Sequence, residues 1–196
     1  MRRPSGFDFT AQMRLVCQHI TQFVPELGHV DIPRVAISFA QARIRSTWGR
    51  YASLTPLRFE GGGVEGQKHG RTYAIQQLVD HTGQELLYIL TFYLPRFQDQ
   101  SFREKLITIL HELWHISPAF DGDLRRHGGR CYAHTHSQAA YDAHMGVLVD
   151  QWLQRSPPPP DVLDFLEHDF HSLQNLHGRI YGVKVPRPKL ILRKAK

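Results

Sequence analysis

Ser101-Phe102-Arg103-Glu104-Lys105-Leu106-Ile107-Thr108-Ile109-Leu110-His111-Glu112-Leu113-Trp114-His115 decides how the rest of the chain is read. Apolar side chains at Phe102, Leu106, Ile109, Leu110 and Leu113 recur at helical spacing, with a cap at Asp99 or Ser101 and Pro118 beyond the end. The spacing predicts a helix over 99–116. Near its end, His111 and His115 stand four residues apart. On a helix that is about 40° around the axis and about 6 Å along it, so both imidazoles project from one face. Two such rings can hold one Zn²⁺ at about 2.0–2.1 Å, and Glu112 beside them can reach a water on that ion without binding it. A zinc ion lowers the pKa of such a water from 15.7 toward about 7, within range of a carboxylate base.

Outward from this helix the period changes. Upstream, Arg34–Ala40, Thr55–Glu60, Arg71–Val79 and Glu85–Leu94 are rich in β-formers, and Asp80–Gly83 is expected to join the last two as a hairpin. Residues 9–24 carry Met13, Val16, Cys17, Ile20 and Val24 at helical spacing, closed by Pro25. The Gly61–Gly63, Gly66 and Gly70 stretch is a loop; Gln67 stands where a phosphate-cradling loop needs Lys. Downstream, a loop over 118–129 leads to a helix over 137–154. Pro157–Pro160 forms a stiff connector, and a last helix spans 161–176, stopped by Gly178. The expected fold is α+β: a β-rich half, then a helical C-terminal half. Residues 1–155 form the main domain, 156–178 the Pro-rich connector and final helix, and 179–196 a basic tail.

Composition excludes several classes. The 196 residues are 41% hydrophobic and 21% charged, ordinary for a globular domain and far from a disordered chain. The longest nearly apolar run, Leu86–Leu94, falls well short of the roughly 20 residues that cross a bilayer. Residues Met1–Asp8 contain no apolar stretch of secretory type, so a cytoplasmic location is expected. Cys17 and Cys131 cannot build a disulfide framework or a four-thiolate metal site, and Cys17 sits on an apolar stripe. The net charge of +6 is local: Phe170–Lys196 carries seven Lys or Arg and no acid, leaving 17 basic against 18 acidic residues before it. Such an end can keep a protein soluble or bind phosphate backbones weakly.

His111-Glu112-x-x-His115 after a β-rich half resembles the zincin metallopeptidases. Within them it resembles the SprT-like type, and Thr108–Met145 resembles uncharacterised metallopeptidase-like proteins of bacteria and their phages. The resemblance implies a twisted mixed sheet packed on the active-site helix, with an edge strand aligning an extended peptide. It implies one catalytic Zn²⁺ on His111, His115 and a third ligand, with Glu112 as general base and a peptide or protein as substrate. In the SprT-like pattern the third ligand is a His followed by Gly, here His127-Gly128. Asp121 is the rival, six residues past His115, although Pro118 replaces the glycine that the metzincin pattern has there. His134 and His136 also remain open as third ligands. With Tyr132 and Tyr141, they are candidate donors to the developing oxyanion. Asp121 and Asp123 are candidates to orient the imidazoles. Strand 85–94 is a candidate substrate edge or, equally, a buried strand. Trp114 and Met145 read as core, and His168 and His171 as a solvated face rather than a second metal site. The alternative function is a nucleic-acid-binding or regulatory protein on the same scaffold, its metal structural or absent. The SprT-like link to proteins attached to DNA is weakened by the lack of a Cys-rich zinc ribbon.

Overall fold

The computed structural model describes residues 6–42, 49–126 and 138–193. The chain opens with β1 (Phe7–Asp8) and α1 (Phe9–Phe23), whose N-cap Asp8 accepts a hydrogen bond from Ala11 N at 3.0 Å. Phe9, Met13, Val16, Cys17 and Ile20 form its buried stripe, as their spacing requires. Five strands follow: β2 (Val35–Gln41), β3 (Ala52–Pro56), β4 (Glu65–Lys68), β5 (Arg71–Ile75) and β6 (Tyr88–Leu94). Then come α2 (Phe102–Trp114), α3 (Gln138–Arg155), α4 (Pro160–Glu167), α5 (Phe170–His177), β7 (Ile180–Tyr181) and β8 (Leu190–Leu192). This is an α+β fold with mixed sheets. No helix among the described residues is long and apolar enough to cross a membrane.

The site-bearing sheet has the order β2-β6-β3, with β2 parallel and β3 antiparallel to β6. Tyr88, Leu90, Phe92 and Leu94 of β6 point into the main core with α1, α2 and α4, while Ile89 joins Ala36 and Leu57 in a small cluster on the opposite face. A strand apolar on both sides belongs in the middle of a sheet. The 85–94 stretch is therefore the buried strand of the two alternatives, and β3 is the edge. Helix α2 begins with a capping box: Ser101 Oγ accepts from Glu104 N at 3.3 Å, and the Glu104 carboxylate accepts from Ser101 N at 2.9 Å.

Four expectations are corrected. The glycine-rich stretch from Gly61 to Gly70 is not all loop, since Glu65–Lys68 within it pairs with β5 as β4. Asp80–Gly83 does form a tight turn, its Asp80 carboxylate accepting from Thr82 N and Gln84 N, but only Val79 and Glu85 bridge across it. Strand β5 pairs instead with β4 and β8 in a second sheet, because the C-terminal strand takes the edge that a hairpin partner would have used. The single helix over 161–176 is two. Lys105 Nζ, buried, donates at 2.8 Å to both Leu166 O and His168 O and closes α4, and Asp169 then caps α5 through Ser172 N. His168 and His171 thus flank a break rather than share a helix face. Residues 179–193 are not a loose tail but an arm woven through the fold: β7 pairs with β1, Phe39 N–H donates to Val183 O, and β8 pairs with β5.

After α2 the chain loops out and returns. Ile116 bridges Leu124, and Arg125 N–H donates to His115 O at 2.7 Å. The buried Tyr88 hydroxyl pins this loop, donating to Asp123 O at 2.8 Å and accepting from Gly122 N at 3.0 Å. Gly122 has φ +87°, and a Cβ there would lie 2.5 Å from Arg58 Cγ, so glycine is required. Tyr88→Phe leaves both backbone groups without their partner. It should cost about 1–3 kcal/mol in urea unfolding with an unchanged m-value; an unchanged midpoint would refute the pinning role.

Candidate metal centre

The helix places its two imidazoles side by side. The His111 and His115 ring centroids are 4.8 Å apart at 75°. Two imidazoles on one tetrahedral zinc, each at about 2.0–2.1 Å, have centroids roughly 5 Å apart, so the observed pair already stands at the spacing that a shared ion needs. His115 is the C-cap residue of α2, so the pair sits at the helix end to which the chain returns at Arg125.

Glu112 faces β3. Its Oε2 accepts a hydrogen bond from Leu54 N at 2.8 Å. Tyr51 O and Leu57 N bond across to the β6 side, so strand alternation turns Leu54 to the outer edge, where no described strand pairs with β3. The Glu112 carboxylate therefore lies against an edge of β3 that no described strand pairs with. Burial pushes the Glu112 carboxyl up from 4.5 to about 7, against the opposing pull of the Leu54 N–H and the Arg50 charge.

Helix α3 closes the site from the other side. Asp142 Oδ1 lies 3.4 Å from His111 Nδ1, which leaves the other ring nitrogen for a metal. Tyr141 lays its ring parallel to His115, centroids 6.1 Å apart, and meets His111 edge-on at 4.8 Å. Burial drives the Tyr141 hydroxyl upward, keeping it a protonated donor. Trp114 is half-buried rather than deep core. Arg125 stacks 4.4 Å above its ring, and His144 meets it edge-on at 5.3 Å.

Of the remaining candidates, His127, Tyr132, His134 and His136 lie outside the described residues, as does Cys131. Asp121 accepts from Asp123 N at 3.1 Å and packs against the Gly62 turn. Among the described residues no three His, Cys, Asp or Glu side chains form a metal-holding group, so Asp121 is not brought to the two imidazoles. Asp123 binds Arg126 Nε at 2.9 Å and Gly61 N at 3.0 Å, and so is committed elsewhere. The carboxylate beside His111 is Asp142, which sequence reasoning missed; its signal would have been its place next to Tyr141 on the face of α3 that packs on α2. Met145 is core, as expected.

No protein-family model, curated protein or solved structure matches this chain. What the site can do rests on its own geometry.

Glu112 gives a stability signature in metal-free protein. Its folded pKa lies above the unfolded value, so its ionisation opposes folding. The penalty is absent below about 4.5, grows as pH rises through about 7 and then levels off. Under chelator, Glu112→Gln should therefore stabilise the fold at pH 8 by on the order of 3 kcal/mol and leave it nearly unchanged at pH 4.5. Equal effects at both pH values in thermal melts would contradict the buried-carboxyl reading.

Proposed function

We propose that this chain is a zinc-dependent metallopeptidase, most simply an endopeptidase, with Glu112 as its general base. The observation that carries the reading is the paired His111 and His115 rings beside a buried Glu112 that faces an unpaired strand edge. In this reading His111 and His115 hold the ion, and the SprT-like resemblance supplies His127 as third ligand. The return of the chain to His115 at Arg125, two residues before His127, favours that choice over Asp121. Zinc bound there would supply a Lewis acid for a peptide carbonyl and for the water that attacks it.

The chain's own residues do the rest. The outer edge of β3 offers the backbone groups of Ala52 and Leu54 to an extended peptide. Substrate competes with Glu112 for the Leu54 N–H, so docking frees the carboxylate where it is needed. Glu112 accepts a proton from the attacking water and delivers it to the departing amine, a task suited to a carboxyl tuned near neutrality. The Tyr141 hydroxyl donates to the oxygen on which negative charge develops. Asp142 holds the His111 ring in orientation.

Elemental analysis of the purified chain should find about one zinc, lost in His111→Ala and in His115→Ala. Glu112→Gln should keep the zinc yet lower hydrolysis of denatured casein at least about 100-fold. A chain that retains no zinc, or a Glu112→Gln variant as active as the original, would overturn the proposal. Asp142→Asn should weaken zinc affinity about 10-fold or more in a chelator competition; unchanged affinity would remove Asp142 from the site.

A further inference from the structure

The second sheet ends on an apolar edge. Its order is β4-β5-β8, antiparallel throughout, so β4 and β8 are its outer strands. Strand β4 reads Glu65-Gly66-Gln67-Lys68, charged and polar in the way that keeps an edge from pairing with other chains. Strand β8 reads Leu190-Ile191-Leu192, and these residues are 45%, 46% and 51% exposed. Lys189 O accepts from Gln76 N at 2.8 Å and Arg193 N–H donates to Thr72 O at 2.9 Å, both toward β5. Strand alternation turns the backbone groups of Ile191 toward β5 as well, and those of Leu190 and Leu192 to the open side. No described strand pairs with β8 on that side. An exposed apolar strand with free N–H and C=O groups is a template for one more strand.

Charge says what kind of strand fits. The three strands and the residues flanking β8 carry Lys68, Arg71, Lys189 and Arg193 against the single carboxylate of Glu65. Glu65 pairs with Arg193 Nε at 2.9 Å, both side chains about half exposed, and Lys189 makes no ion pair among the described residues. Two copies of this chain paired edge to edge about Ile191 would set Lys189 of one against Arg193 of the other. Like charges directly opposite disfavour that dimer. Insertion into a bilayer would leave the outward groups of Leu190 and Leu192 without hydrogen-bond partners. An extended segment of another protein, apolar in its middle and acidic at both ends, satisfies backbone, side chains and charge together.

We propose that β8 is a docking edge for a partner protein's strand in which three apolar residues stand between two acidic ones. The added strand runs antiparallel, as every pairing in this sheet does. Its second and fourth residues exchange N–H···O bonds with Leu190 and Leu192, its three apolar side chains cover β8, and its acidic ends meet Lys189 and Arg193. The proposal does not rest on the metal centre, which is built on α2 and on β3 of the other sheet.

The test titrates the isotope-labelled full chain with acetyl-Glu-Val-Leu-Val-Glu-amide, followed by amide NMR. Saturable shifts should appear at Leu190 and Leu192. A peptide with Lys in place of both Glu should bind about fivefold or more weakly at low salt, the loss of two exposed ion pairs. Methylating the amide nitrogens of both Val residues should abolish binding, whereas methylating that of the central Leu should leave most of it. Leu192→Pro removes an outward N–H that β5 does not use, and should also abolish binding. Should that variant fail to fold, the two methylated peptides decide on the unaltered chain. Absence of saturable shifts at Leu190 and Leu192, equal affinity for the Glu and Lys peptides, or shifts confined to Ala52–Pro56 would each overturn the proposal. So would concentration-dependent shifts at Leu190 and Leu192 without peptide, the mark of self-pairing, or their broadening by phosphatidylserine vesicles where the peptide has no effect.

Discussion

One hydrogen bond ties the molecule's architecture to its chemistry: the Leu54 N–H of β3 donating to the Glu112 carboxylate of α2. It joins the edge strand β3 to the last turn of α2, whose Leu106, Ile109, Leu110 and Leu113 are buried in the core. A carboxylate in such a place is expensive to ionise, and only an aligned N–H and the nearby Arg50 charge moderate the cost. The rest of the structure serves this juxtaposition. Strand β6 supplies the floor on which β3 lies, and α3 brings Tyr141 and Asp142 against the two imidazoles. Tyr88 reaches from β6 to hold the loop that leads the chain back to His115.

Much of this was legible in the residues. The helix from Ser101 could be read because its cap, its apolar period and Pro118 agree with one another, and local signals of that kind survive in any tertiary setting. His111 and His115 shared a face as soon as the helix was granted. The helix over 137–154 matched α3 (Gln138–Arg155) to within a residue for the same reason. The α+β class followed from the change of period near Pro95.

What stayed hidden was non-local. Nothing along the sequence says that β5 pairs with Leu190–Leu192, more than a hundred residues away, rather than with its neighbour. The split at His168 and Asp169 involves Lys105, a residue from another helix whose buried ammonium group donates to the Leu166 and His168 carbonyls. The C-terminal stretch looked like a tail because charge dominates its composition. Its backbone nonetheless pairs with β1, β2 and β5, and strand pairing needs no hydrophobic side chains on the solvent face. Asp142 escaped notice because its partner is on α2, and the facing of two helices is set by packing rather than by either sequence alone.

The central claim, that His111 and His115 share one ion, is most directly tested by zinc K-edge absorption on the zinc-loaded chain. The account predicts nitrogen neighbours at about 2.0–2.1 Å with outer-ring scattering from at least two imidazoles, and loss of that scattering in a chain with both residues changed to Ala. A spectrum of oxygen neighbours alone, or one indifferent to the double substitution, would contradict it.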